Sequence, residues 1–224
     1  MDVADALEKL NAFFAQFKPL YFKKRAIVLR AGDTPSGIFY ITKGYIRQYL
    51  VSAEGQELTT IIYKPRDLFP LLWVLENKIS QRYFETMTPA VLQRAPRDTF
   101  IKFIESEPQV FFKVISRVLN RVNAISERLE YLAFGNAYTK VASILYILAE
   151  RFGEKRGGGV VIQLPLTHKD LASLLGLARE TVSIGMEQLK GKGIITYNGH
   201  IVIKSLKRLG KESIVEPSSE EERW

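Results

Sequence analysis

The spacing of apolar positions changes along this chain, and each change marks a different kind of element. Leu7, Leu10, Phe13, Phe14 and Phe17 recur at helical intervals and predict an opening helix. From Tyr21 to about Phe100 the pattern shortens to brief apolar runs: AIVLR, GIFYITKG, YIRQYLV, LTTIIY and AVLQRAP. Turn residues separate them at Gly32-Asp33, Lys43-Gly44, Glu54-Gly55 and Lys64-Pro65. Many short strands at this spacing predict an antiparallel barrel or jelly roll. A helix is expected after it, over about Arg97 to Ser106.

The next pattern is more regular. Phe111, Ile115, Val118, Val122, Ile125, Leu129 and Leu132 alternate steps of four and three, flanked by Arg117, Arg121, Glu127, Arg128 and Glu130. That is an a/d seam, narrower than the stripe of a helix buried on a globular core, and it predicts a parallel two-helix dimer interface. The alternative is a helix that packs on its own barrel. At Phe134-Gly135-Asn136 the glycine can end the helix and Asn136 can cap the next, so the junction reads as a hinge. A further helix, Ala137 to Phe152, leads into a glycine-rich loop over Gly153 to Gly159.

Residues 165–203 (PLTHKDLASLLGLARETVSIGMEQLKGKGIITYNGHIVI) carry the most specific signal. Thr167 followed three residues later by Asp170 resembles a capping box, and Leu171, Leu174 and Leu175 give the helix behind it one apolar face. Ala172, Gly176 and Val182 then fall where a helix-turn-helix needs a small contact, a tight turn and a packing residue. Val182, Met186 and Leu189 form the buried side of the second helix, leaving Arg179, Glu180 and Ser183 outward in its first turns. Asn198-Gly199, between two apolar runs, predicts a hairpin that would form a wing. An ordinary helical hairpin within a core is the alternative. The preferred reading is double-stranded DNA binding, with the second helix in the major groove.

The net charge of +8 agrees with a polyanionic partner. Residues 216–224 hold four glutamates and one arginine, so the body is more basic still; residues 214–224 are expected to be a disordered tail. With no cysteine, thiolate metal sites, iron–sulfur clusters and disulfides are excluded. With two scattered histidines and no Walker-type glycine loop, an enzyme is the weakest reading, and neither a metal nor a cofactor is expected. No apolar run is long enough to span a membrane and no signal-peptide pattern opens the chain, so a cytoplasmic location is expected.

In this order, these parts resemble the Crp/Fnr superfamily of bacterial transcription regulators, over about Phe22 to Leu209. Its most specific piece is ARETVSIGMEQL, similar to the family's recognition helix, and Gly32-Asp33 with Gly37 to Gly44 look like turns of a cyclic-nucleotide-binding fold. The resemblance implies an α+β chain of four parts: an N-terminal antiparallel, jelly-roll-like β-roll sensor (1–106), a long dimerisation helix with hinge (107–135), a winged helix-turn-helix (136–213), and the tail. It also places Arg179 and Glu180 on the family's base-reading pair. Arg can bond guanine O6 and N7, and Glu can accept from cytosine N4. Ser183 lies beside them. Thr181, Lys190, Lys192 and Lys204 are the expected phosphate contacts, with Lys207 and Arg208 as further cations. Many relatives carry an arginine where this chain has Ile184, which could touch a thymine methyl or be buried.

The sensor departs from the family's cyclic-nucleotide pattern. In residues 64–73 (KPRDLFPLLW) Arg66 and Pro70 replace glycines and Leu71 stands where the ribose-binding glutamate would be. Proline offers no N–H to a phosphate. Tight cyclic AMP binding is therefore not expected. Phe69, Trp73, Arg82 and Tyr83 are instead the candidate pocket for an unidentified apolar effector, unless the aromatic residues simply fill the roll. Taken together, the chain reads as a homodimeric regulator of an inverted repeat, with RNA polymerase and a small-molecule effector as further candidate partners. Two alternatives stand beside it. One is a regulator controlled only by its abundance, and the other is a ligand-binding module whose helix-turn-helix binds protein.

Overall fold

In a computed structural model, which describes residues 3–215, the chain divides into two compact units between Leu119 and Asn120. The expected disordered tail lies largely outside the described residues. Its first two residues are described, and the Ile214 amide donates to Ser143 Oγ at 3.2 Å.

The first unit runs α1 (Val3–Ala15), β1 (Pro19–Phe22), β2 (Ile27–Leu29), β3 (Ile38–Lys43), β4 (Ile46–Val51), β5 (Glu57–Tyr63), β6 (Leu68–Phe69), α2 (Leu71–Glu76), β7 (Tyr83–Thr86), β8 (Ala90–Ala95), α3 (Arg97–Ser106) and the start of α4 (Pro108–Phe134). Two four-stranded sheets, β1-β8-β3-β6 and β2-β7-β4-β5, pair entirely antiparallel. The jelly-roll-like expectation is therefore met. Strand β3 shows why the roll forms. Its first four residues are all apolar or aromatic because both faces are covered. Phe39 and Ile41 point into the roll with Ile46, Tyr63, Phe69 and Phe84. Ile38 and Tyr40 point out against Leu10 and Phe14 of α1, Phe100 of α3 and Val114 of α4. Burial of each such side chain contributes roughly 1.5–3 kcal/mol. Gly44 closes the turn after β3 with φ 89°, where a Cβ would come within 2.5 Å of the Pro89 carbonyl oxygen. Three short strands, β1, β6 and β7, fall outside the runs read from the sequence, and each pairs with a longer strand.

The second sheet keeps a charged network on the face away from the roll's interior. Arg47 and Glu85 oppose each other across β4 and β7 and make two bonds, at 3.0 and 3.2 Å. Arg47 also reaches Glu57 at 2.7 Å, and Arg25 donates to Glu85 at 3.0 Å. The guanidinium of Arg47 lies 4.1 Å from the centroid of the Tyr49 ring, which stacks on Tyr83. A pair this buried contributes little net stability when complete, but leaves an uncompensated charge when broken.

The second unit contains the end of α4, then α5 (Ala137–Phe152), β9 (Gly153–Arg156), β10 (Gly159–Ile162), α6 (His168–Leu175), α7 (Arg179–Gly191), β11 (Ile195–Asn198), β12 (His200–Ile203) and α8 (Leu206–Glu212). The stretch read as a glycine-rich loop is instead a hairpin turning at Gly157 and Gly158, both at positive φ. Its inner strand pairs with the wing, giving a four-stranded sheet in the order β11-β12-β10-β9. Three consecutive glycines hid these strands, which depend on the pairing of β9 with β10 and of β10 with β12 rather than on local propensity. The wing is also tighter than expected: Asn198 pairs directly with His200, and Gly199 alone forms the tip with φ 75°.

Burial opposes the ionisation of Glu85, but the bonds and charges of Arg47 and Arg25 outweigh it and hold its carboxyl below the usual carboxylate range. A lowered folded value adds stability above the unfolded value of about 4.3, and that contribution is lost as pH falls through the folded value. Thermal denaturation of the wild type should therefore show stability falling as pH drops below about 4. Glu85→Gln should cost on the order of 3 kcal/mol at neutral pH and flatten that acid dependence. An unchanged acid dependence in the variant would remove Glu85 from this role.

Candidate nucleic-acid interface

The recognition unit is fixed from its backbone outward. Thr167 and Asp170 form a complete capping box at the start of α6: the Thr167 side chain accepts from the Asp170 amide, and Asp170 accepts from the Thr167 amide at 2.9 Å. Gly176 ends α6 in the left-handed conformation at φ 62°, so α7 can fold back across it. Val182, Met186 and Leu189 bury the inner side of α7. Gly185 lets that helix come so close to α5 that a Cβ would stand 3.0 Å from Cγ2 of Val141. These contacts set which residues of α7 face outward.

Arg179 and Glu180 are exposed in the first turn of α7. Ser183 is only half-exposed, and its hydroxyl is engaged twice. It lies 3.0 Å from the Arg179 carbonyl oxygen and 2.8 Å from His168 Nδ1. When both bonds form, the serine proton goes to the carbonyl and Nδ1 donates to Ser183 Oγ. The His168 ring also lies 5.7 Å from that of Tyr197 in β11, so it joins α6, α7 and the wing. Ile184 is 62% exposed, which settles against its being buried.

The expected phosphate contacts divide into two groups. Thr181 is half-exposed and Lys204 exposed, while Lys190 makes only a long surface pair with Glu187, at 3.4 Å, which contributes little. Lys192 is engaged within the chain: its ammonium pairs with Glu212 at 2.7 Å and lies 4.7 Å from the Tyr138 ring centroid. Those partners hold the side chain toward α5 and α8. Arg208 likewise donates to the Lys192 carbonyl at 2.7 Å and secures the end of α7.

On α4, the expected dimer positions are mostly uncovered. Phe111, Val122, Ile125 and Leu129 are exposed, while Ile115, Val118 and Leu132 are half-buried. Leu119, one residue beyond the expected seam, is as exposed as Leu129 at 62%. Its place one turn from Ile115 and three residues before Val122 was the signal that could have found it. The opposite face is engaged. Arg128 donates to the Leu174 carbonyl in the last turn of α6, where a cation also meets the negative end of the helix dipole. Tyr131 is buried, and among the described residues its hydroxyl has no hydrogen-bond partner.

The candidate effector pocket does not assemble. Phe69 is fully buried and stacks between Phe39 and Phe84, with centroids 5.3 and 5.0 Å away. Trp73 belongs to the helix-side cluster with Phe14 and Phe100. Strand alternation puts Tyr83 on the face opposite Phe84, stacked on Tyr49, and Arg82 is half-exposed beside it. Thus the four residues sit in separate surroundings, because Pro70 starts a helix and β7 alternates. Arg66, standing where the family has a glycine, adopts φ 74°; its amide donates to the Ile41 carbonyl at 2.7 Å and its own carbonyl accepts from Arg117.

The comparisons with known proteins agree with this architecture. Residues 19–107 match the family model of the cyclic nucleotide-binding domain, and residues 139–212 that of the Crp-like helix-turn-helix domain. The chain belongs to the Crp/Fnr superfamily of transcription regulators. It is 25% identical over 205 residues to the CRP-like cAMP-activated global transcriptional regulator of Mycobacterium tuberculosis, covering 91% of this chain and 92% of that one. It is 24% identical over 177 residues to the global nitrogen regulator of Nostoc, covering 78% and 79%. Among solved structures it resembles FixK2 from Bradyrhizobium japonicum, with TM-score 0.76 at 20% identity over 91% of this chain and 98% of that one. A CooA mutant from Carboxydothermus hydrogenoformans gives 0.77 at 22% identity, over 94% and 96%. No helix among the described residues is long and apolar enough to cross a membrane, and no group of side chains there could hold a metal ion.

Burial pushes the Tyr131 phenol up to about 12, so it stays protonated, carrying a donor that meets no acceptor among the described residues. Such an orphaned group costs roughly 1–3 kcal/mol. Tyr131→Phe should therefore stabilise the protein by about 1 kcal/mol in thermal or chemical denaturation. A loss of similar size would mean that the hydroxyl meets a partner in the assembled protein.

Proposed function

We propose that this regulator acts as a homodimer that reads an inverted repeat in double-stranded DNA. Two copies pair through the apolar line of α4, from Phe111 to Leu132 with Leu119 added, and each α7 enters a major groove about one helical turn (~34 Å) from the other. Arg179 bonds guanine O6 and N7, and Glu180 accepts from cytosine N4 on the same or the adjacent base pair. Thr181, Lys190 and Lys204 take phosphates, which makes affinity fall with salt. The observation that carries the reading is the exposed pair Arg179–Glu180 at the start of a helix locked in place by Gly185 and the apolar residues behind it.

The same reading assigns the Phe134-Gly135-Asn136 junction as the hinge about which regulation acts. Asn136 caps α5 by accepting from the Thr139 amide at 2.9 Å, and a Cβ on Gly135 would stand 2.5 Å from the Tyr131 carbonyl oxygen. Regulation by an effector other than cyclic AMP would then be a population shift between DNA-competent and incompetent dimers. A second reading, control by abundance without an effector, is favoured by the Phe39–Phe69–Phe84 stack, which uses the pocket's central residue for packing.

Selection from random duplexes with the full chain tests this function. An inverted repeat should be enriched, and Arg179→Ala should cost about 1–3 kcal/mol on it while losing preference at one position of each half-site. Equal weakening on every sequence would make Arg179 a phosphate contact. Enrichment of no sequence at all would overturn the reading.

A further inference from the structure

The outward line of α7 contains a residue that packing does not explain. With Val182, Gly185, Met186 and Leu189 turned inward, Glu180, Ile184 and Glu187 lie on the opposite side at i, i+4 and i+7. Ile184 is the apolar member, with 62% of its surface exposed between two carboxylates. It contributes nothing to the core, and a β-branched residue is a mediocre choice for an exposed helix position. From Gly153 to Ser213, the other exposed large apolar side chain is Tyr197, and its ring rests near His168. Ser183, the adjacent candidate for base contact, has its hydroxyl held by His168 and the Arg179 carbonyl. In the first two turns of α7 the exposed positions left to read bases are therefore Arg179, Glu180 and Ile184.

An aliphatic side chain cannot hydrogen-bond a base edge and has nothing to offer a phosphate. In the major groove the group complementary to it is the thymine 5-methyl. We propose that Ile184 is a specificity-determining residue that reads a thymine methyl in each half-site. This rests on the DNA reading given above. Ile184 lies four residues beyond Glu180, about 6 Å along the helix, against ~3.4 Å per base pair. The thymine should therefore fall one or two base pairs from the position read by Glu180. The contact gives this chain a half-site preference set by shape and hydrophobicity at one position and by hydrogen bonds at its neighbours.

The test replaces thymine by deoxyuridine, which removes the methyl group and leaves every hydrogen-bonding edge intact. The duplex enriched by selection with the full chain is resynthesised with deoxyuridine at each half-site thymine in turn, symmetrically, and its affinity measured for the wild type and Ile184→Ala. One thymine position should be sensitive in the wild type. The loss should be about fourfold per half-site, the equivalent of one buried methyl group, and about sixteenfold for both. Ile184→Ala should bind the thymine and deoxyuridine duplexes equally, with its denaturation midpoint unchanged because the side chain is exposed. A specific duplex without a thymine in the half-site would overturn the inference. So would wild-type indifference to every replacement, or undiminished sensitivity in Ile184→Ala. Each of these leaves the DNA reading standing. Failure to enrich any duplex would instead remove the reading and the inference together.

Discussion

A helix with an apolar line left in water constrains everything else proposed for this protein. The beginning of α4 is held by Val110 and Val114, buried in the helix-side cluster of the first unit. Its end is held by Arg128 on the α6 carbonyl and by the buried ring of Tyr131. What remains is the line through Phe111, Leu119, Val122, Ile125 and Leu129, all exposed. Covering side chains of this size returns roughly 1.5–3 kcal/mol each, before the entropic cost of association. In the dimer proposed above, a second copy of the same helix would meet this need with the a/d geometry that the spacing supplies.

At the other end of the second unit, the structure distributes work among residues that look alike in sequence. Lys190, Lys192, Lys204 and Arg208 are all cations near α7, yet Lys192 is paired with Glu212 and Arg208 bonds the end of the helix. His168 and Ser183 hold each other across α6 and α7. In the first two turns of α7 these internal commitments leave Arg179, Glu180 and Ile184 as the exposed residues. Two can hydrogen-bond a base edge and the third can touch only its methyl group, a combination that favours discrimination over tight non-specific binding.

Much of this was legible from residue types and spacing. The β-roll followed from short apolar runs between turn residues, and the start of α6 from Thr167 and Asp170. The α4 line followed from its steps of four and three, although Leu119 was missed because the strict a/d rule stops at Val118. What the sequence hid depends on long-range pairing or on direction. Strands β9 and β10 meet at three consecutive glycines and exist by pairing with each other and, through β10, with β12. The pocket failed to assemble because Phe69, Trp73 and Tyr83, close in sequence, are sent to different faces by a helix start and by strand alternation. The engagements of Lys192 and His168 were also hidden, because hydrogen-bond partners 20 and 15 residues away carry no local signal.

The filled interior of the roll bears on regulation. Phe69 and its stacked neighbours pack the interior of the roll, an arrangement compatible with an effector bound outside that cluster or with control by protein abundance. In either case, the central claim is geometric: two recognition helices, held a fixed distance apart, bind two half-sites on one face of the duplex. The most direct measurement is the affinity and stoichiometry of the full chain on an inverted repeat whose half-sites are moved apart in single base-pair steps. The account predicts two chains per duplex, tight binding at a centre-to-centre spacing near one helical turn, and collapse of affinity when about five base pairs, half a turn, are inserted. One chain per duplex, or affinity indifferent to spacing, would contradict it.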